Sequence, residues 1–166
     1  AADQFTVWQL DASGNFSGVQ LGVVTGSDSA LQLLETSFQQ DLNGSGTIGL
    51  VPTTIEALGA TKLVQLGSSF RLWNAADTGP ALKYGGAEFA AGQFGAWTPI
   101  AAEANASGYL VAWKNGSANQ FTVWQADSNG NYAGGLIGVV PGSDAGLKQI
   151  ETLFHQDLNA DGILGV

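Results

Sequence analysis

Gln120-Phe121-Thr122-Val123-Trp124-Gln125 alternates apolar and polar side chains with a period of two, the pattern of a half-buried strand. The same six residues stand at Gln4 to Gln9. From there the two stretches run in parallel without a gap, Gln4–Gly49 on Gln120–Gly165 at an offset of 116, with 26 of 46 positions identical. GVV recurs at Gly22 and Gly138, GSD at Gly26 and Gly142, and QDLN at Gln40 and Gln156. Such a long-period repeat is the frame of an array whose units touch mainly their neighbours. The expected division is residues 1–50 as the back end of one unit and 51–166 as a complete one. A looser echo, Phe70-Arg71-Leu72-Trp73-Asn74-Ala75, resembles Phe121 to Ala126.

Around these ribbons, periodicity predicts strands at 61–67, 69–74, 81–85, 98–102, 109–114 and 120–125. They are separated by turn residues such as Asn115-Gly116 and Asn129-Gly130. Gly85-Gly86 and Gly134-Gly135 read as further turns. A helix is predicted over 143–158, with Leu147, Ile150, Phe154 and Leu158 on one face; Leu31, Leu34, Phe38 and Leu42 repeat that stripe. Ser27 and Ser143 are the expected N-caps. The expected fold is mainly β (α+β): an antiparallel meander, sheet or barrel-like, closed by one amphipathic helix that leads into a calcium loop, in tandem repeat.

That loop carries the one motif with specific chemistry. Asp157-Leu158-Asn159-Ala160-Asp161-Gly162-Ile163-Leu164 fits the first eight positions of an EF-hand loop. Oxygen ligands are expected from Asp157, Asn159 and Asp161 at positions 1, 3 and 5, and from the carbonyl of Ile163 at position 7. Gly162 permits the sharp turn, and Leu164 fills the apolar position 8. In the first copy Asp41, Asn43, Ser45 and Thr47 take these roles, with one carboxylate fewer because Ser45 replaces Asp. Position 12, the bidentate Glu of a full EF-hand, is Pro52 in the first copy and falls past Val166 in the second. No second helix is expected after either loop, so each is a half-site similar to those of dockerin modules. Glu35 or Glu56 is expected to complete the first by folding back, and Glu151 or a neighbouring segment the second. Ca²⁺ is the expected cofactor, held weakly at about 10⁻⁴–10⁻³ M.

Several motifs together carry a family resemblance: Gly108-Tyr109-Leu110-Val111-Ala112-Trp113-Lys114, Phe121 to Trp124, Asp127 to Tyr132, Phe154 to Gly165, Gly92 to Ile100 and Leu82 to Gly86. The chain resembles the tryptophan-rich repeat domain found at the C-terminal ends of large secreted cyanobacterial and proteobacterial proteins. The resemblance covers essentially the whole chain. It implies an extracellular or bacterial cell-surface place, as in adhesins and type I secretion substrates, and it transfers no catalytic residues.

Composition narrows the partners. The 166 residues carry 14 Asp+Glu against 5 Lys+Arg, a net charge of −9, which argues against nucleic acid. No apolar run reaches the ~20 residues of a membrane-spanning helix. There is no initiator Met, which points to a processed chain or a fragment, and no Cys, which removes disulfides and thiolate chemistry. One histidine, His155, builds no catalytic triad and reads as a solvated surface residue. Glu88 and Glu103 are acids of the β region that nothing in the sequence pairs as a glycosidase would need. The chain is therefore expected not to be an enzyme. Of the five Trp, Trp8, Trp73, Trp124 and Trp113 read as core, and Trp97, in a loop-like stretch, as the exposed candidate for a sugar face. The leading expectation is a non-catalytic calcium-binding module of an adhesin or matrix protein, touching neighbouring repeat units or copies of itself. A self-assembling fibre or S-layer-like protein and a carbohydrate-binding module or accessory domain of a secreted glycan-active enzyme are the alternatives.

Overall fold

The computed structural model describes residues 3–166. The chain divides between Val51 and Pro52 into two compact units.

In the second unit, Pro52–Val166, the centre is a four-stranded antiparallel sheet of strands that follow one another in sequence. The first unit contributes β1 (Gln4–Leu10), β2 (Phe16–Thr25) and α1 (Ser29–Phe38), so the second begins at β3 (Thr53–Glu56). Then come β4 (Lys62–Leu66), β5 (Ser69–Trp73), β6 (Lys83–Tyr84) and β7 (Ala87–Glu88). The central strands are β8 (Trp97–Asn105), β9 (Gly108–Asn115), β10 (Gln120–Ala126) and β11 (Tyr132–Pro141), followed by α2 (Ala145–Phe154). The sheets are open, ordered β11-β10-β9-β8, β3-β4-β5 and β6-β7; no barrel closes. The barrel-like expectation is corrected accordingly: β11 and β8 lie at opposite ends of the central order.

Because successive strand residues point to opposite faces, the central sheet serves two cores. One face gives Ala101, Leu110, Ala112, Phe121 and Val123 to a cluster with Leu147, Ile150, Phe154 and Leu158, the helical stripe and its continuation. The other gives Ala102, Val111, Trp113 and Ala126 to a cluster with Leu63, Phe70, Leu72, Leu82 and Phe89 from the segments before it. Partly buried Phe94, Trp97, Tyr109 and Trp124 border that second core. Gly108, at the β8–β9 turn, has φ +132°, and a Cβ there would lie 2.3 Å from the Ala126 carbonyl. Only glycine lets this turn approach β10 so closely.

The first unit contains the hairpin β1-β2 and helix α1. Its register repeats that of β10-β11 at the offset of 116: Phe5↔Val24 against Phe121↔Val140, Trp8↔Val19 against Trp124↔Gly135, with bulges at the same places. In both hairpins the turn is tied by an Asp. Asp11 Oδ1 accepts the N–H groups of Ser13 and Asn15, and Asp127 Oδ1 those of Asn129 and Asn131.

Several expectations change. β2 and β11 are ten-residue strands where Gly134-Gly135 reads as a turn; Gly135 sits opposite Trp124, where the strand needs no side chain. The helices start later than expected, and Asp28 and Asp144, not the serines before them, cap them: Asp28 Oδ1 accepts Ala30 N–H at 2.8 Å, and Asp144 Oδ1 accepts Leu147 N–H at 3.0 Å. A short Asx side chain directly before the first turn reaches those N–H groups. Trp97 opens β8 rather than standing in a loop, and it is half-buried. Trp8, expected in the core, is 63% exposed, because its hairpin has no strand on its far side. Trp113 is buried as expected.

The two helical stripes are occupied unequally. Phe154 is 1% exposed under the central sheet, while its counterpart Phe38 is 53% exposed. Truncating a buried Phe costs about 3–5 kcal/mol. Phe154→Ala is therefore expected to lower unfolding stability by about that much, and Phe38→Ala by less than about 1 kcal/mol. Equal losses in urea denaturation would refute this reading of the stripes.

Candidate metal loops at the helix ends

Each helix stops in the same way. Gln39 and His155 take the left-handed conformation (φ 52° and 54°), and the next N–H, of Gln40 or Gln156, donates back to the carbonyl of Glu35 or Glu151. The chain then turns into the two loops without a glycine at the helix end. His155 is exposed, as expected.

What shapes the loops is a carboxylate on the apolar stripe. Glu151 lies one turn from Leu147 and is 0% exposed. Its Oε1 accepts the N–H groups of Leu158 (3.0 Å) and Asn159 (3.4 Å), and its Oε2 that of Gly165 (3.0 Å). Glu35, equally buried, repeats the arrangement with Leu42 (3.1 Å), Asn43 (3.3 Å) and Gly49 (2.9 Å). A buried charge persists only where donors replace its lost hydration. These N–H groups do that, and in return they fix the start and end of each loop. Gly49 and Gly165 have φ +97° and +92°, so the N–H that closes the clamp comes from glycine in a conformation other residues avoid. The expectation that Glu35 and Glu151 complete a metal site is thus replaced: both oxygens of each are engaged by backbone. The sequence signal for this role was a Glu interrupting the apolar stripe at the same place in both copies.

Within the second loop, Asp157 Oδ2 accepts Gly162 N–H at 2.7 Å and its Oδ1 accepts Asp161 N–H at 3.2 Å. Asn159 Nδ2 donates to the Gly142 carbonyl at 2.5 Å, and its Oδ1 accepts Asp161 N–H at 2.9 Å. The first loop matches: Asp41 takes Gly46 and Ser45, and Asn43 bonds the Gly26 carbonyl and Ser45. The Gly46 N–H is the chief reason that the Asp41 carboxyl titrates below the usual aspartate range. Gly46 and Gly162 both have φ +85°, the sharp turn expected at position 6. Thr47 is the acceptor of the Ser45 hydroxyl through its carbonyl, and Ile163 is exposed.

The loops differ at position 5. Asp161 meets the Lys148 ammonium at 2.5 Å, and that partner chiefly holds its carboxyl below the usual range. In the first copy Ser45 carries no charge, and the residue in place of Lys148 is Gln32, whose Oε1 accepts Val51 N–H. The extra acid and the extra base of the second copy belong together. Among the described residues no group of three or more His, Asp or Glu is gathered as a metal cluster. The donors of each loop are one or two carboxylates supplemented by Asn, Ser and carbonyl oxygens. All are hard oxygens of the kind calcium takes.

The other candidates lie in the second unit. Glu88 pairs with Arg71 at 3.0 Å. Glu103 is buried and accepts Ala60 N–H, and Glu56, also buried, accepts the N–H groups of Leu58 and Ala102. Burial chiefly raises the Glu56 carboxyl above its usual range, and the Glu103 charge adds to it. Glu56 is thus tied to β8. Trp97 lines an open cavity of about 340 Å³ with Phe94, Trp113, Thr122, Trp124 and Val139. That lining is mainly apolar, with Thr122 the polar residue.

The profile of the family described as the tryptophan-rich Synechocystis species C-terminal domain matches residues 1–49 and again residues 61–165. The chain belongs to this family. Comparison with curated proteins and with solved structures returned no match. The family match covers both ribbons and both loops, and β3 lies outside it. None of the helices among the described residues is long and apolar enough to cross a membrane.

Glu151→Gln replaces one clamp oxygen by a donor that faces a backbone N–H. The expected loss is about 2–3 kcal/mol of stability, from a hydrogen bond to charge lost in the interior. Thermal or urea unfolding checks it; an unchanged midpoint would mean that the clamp contributes nothing.

Proposed function

We propose that this chain is a non-catalytic, calcium-stabilised repeat module of an extracellular or cell-surface bacterial protein. The observation that carries the reading is the recurrence, at the end of each helix, of an externally placed oxygen-rich loop. Its position-1 carboxylate and position-3 amide are already oriented by backbone. Asp157, Asn159, Asp161 and the Ile163 carbonyl would hold one ion; Asp41, Asn43, Ser45 and the Thr47 carbonyl would hold the other. Water would fill the remaining positions, since Glu35 and Glu151 are engaged by N–H groups. The ion would supply positive charge at the corner where the helix gives way to the next segment. Two bound ions would bring the net charge from −9 to −5.

An incomplete oxygen set of this kind suits the weak end of calcium affinity, where extracellular concentrations load a site and cytosolic ones do not. Surface display or adhesion, with neighbouring repeats as the main contacts, is the role that the duplicated unit would serve. The family membership supports the repeat architecture and adds no catalytic residues.

Binding with a dissociation constant of about 1 mM adds about 1.4 kcal/mol per site, and so to each unit, at 10 mM calcium. Unfolding in 10 mM CaCl₂ against EGTA is expected to show that gain, with matched magnesium giving less. Asp157→Ala should reduce the gain. Lys148→Gln, which copies the Gln32 of the first loop, should tighten binding by removing the competing ammonium. No calcium-dependent shift in the wild-type chain would overturn the calcium reading.

A further inference from the structure

The cavity beside Trp97 is a hollow between four aromatic rings, those of Phe94, Trp97, Trp113 and Trp124, closed at its sides by Thr122 and Val139. All six residues belong to the second unit. Its volume of about 340 Å³ falls in the range of small-molecule sites. No acid or base is among the six, so neither an anion nor a cation meets a counter-charge there. Trp113 is 1% exposed, and its buried Nε1 has no hydrogen-bond partner among the described residues. An indole N–H in the interior normally finds an acceptor. Polar groups border the same face. Alternation along β9 and β10 puts Asn115 on the side of Trp113 and Gln120 on the side of Thr122. Asn115 lies opposite Trp97 in register, and its Nδ2 donates to Gln120 Oε1 at 2.8 Å. Two phenols extend the aromatic surface: the Tyr132 ring is 4.7 Å from Trp124, and the Tyr84 ring 5.0 Å from Phe94. Both tyrosines are exposed.

We propose that this hollow binds a neutral pyranose ring of a glycan, β-linked glucose in particular, with the Trp97 indole as its stacking platform. A pyranose presents the two surfaces that the hollow asks for. Its ring C–H groups form an apolar face that aromatic rings cover, and its edge carries hydroxyls. With every hydroxyl equatorial, β-glucose leaves both ring faces free to lie against the indoles. A hydroxyl oxygen supplies the acceptor that the Trp113 N–H lacks, and the Asn115–Gln120 amides and the two phenols exchange hydrogen bonds with the rest of the edge. An aliphatic chain or a hydrocarbon ring would fill the volume and leave that buried donor unpaired, which is costly. An acidic sugar would meet a chain of net charge −9 with no cation in the lining. None of the lining residues belongs to the two loops, so the inference goes beyond the calcium reading and does not depend on it.

The probe is cellohexaose, titrated into the intact ¹⁵N-labelled chain in EGTA and again in calcium, with the tryptophan indole N–H resonances as the readout. Saturable shifts are expected at Trp97 and Trp113 in both conditions. Trp8, which is 63% exposed in the first unit, should not move. Trp97→Ala should weaken binding at least about tenfold, the scale of losing an aromatic anchor, and Trp97→Phe should restore part of it. Because Trp97 also packs on the core, a second variant is needed. Val139→Arg alters an exposed residue of the lining, leaves the fold intact by circular dichroism, and should weaken binding as strongly. Absence of saturable binding would overturn the proposal, as would binding indifferent to both variants. Shifts at Trp8 matching those at Trp97 would overturn it too, since they would mean stacking on any open indole. Indole or oligogalacturonate binding as tightly as cellohexaose would likewise reject a neutral glycan as the occupant. Failure of cellohexaose alongside an intact calcium-dependent shift in unfolding would reject this inference alone.

Discussion

The structure depends on a carboxylate held where a carboxylate is costly. Glu151 and Glu35 sit fully buried on the apolar face of a helix, and each is satisfied by three backbone N–H groups of the loop that follows. The exchange is mutual: the loop amides replace water around the charge, and the charge helps order a segment whose buried apolar anchor in the second copy is Leu158. Everything at the helix end follows from it. The left-handed residue after the helix, the Asp and Asn that accept one shared loop N–H, and the glycine whose N–H closes the clamp all stand next to that one buried acid.

The second dependence is the two-faced sheet. Strict alternation along β9 sends Leu110 and Ala112 toward the helix and Val111 and Trp113 toward the aromatic cluster. Trp113 and Trp124, with ring centres 4.3 Å apart, join Phe89 and Phe94 in a run of aromatic contacts on that second face. Trp97, Trp113 and Trp124 are therefore packing residues of this face. Trp8 is the exception: the same ribbon, with no third strand beside it, leaves the same indole in solvent.

The duplicated ribbon, the helical stripe and the loops were legible in the sequence because each has its own period or spacing. Strand β11 was not. Its glycines at 134 and 135 mimic a turn, and only the pairing with Gln125 and Trp124 makes them extended. The role of Glu151 was also hidden, since an acid near a D-x-N loop reads as a ligand until its donors are seen. The caps moved by one residue because Ser27-Asp28 and Ser143-Asp144 offer two good capping residues in a row, and local sequence does not choose between them. Solvent exposure of Trp8 lies furthest from the sequence, for it depends on which strands are present to cover the hairpin.

The most direct measurement is amide hydrogen exchange at Leu158, Asn159 and Gly165 in EGTA. If the buried Glu151 forms the loop and any ion only adds to it, these three amides will be protected to the level of helix α2 without metal. If they exchange at the rates of free peptide and become protected only in calcium, the clamp is a consequence of the ion and the account is wrong.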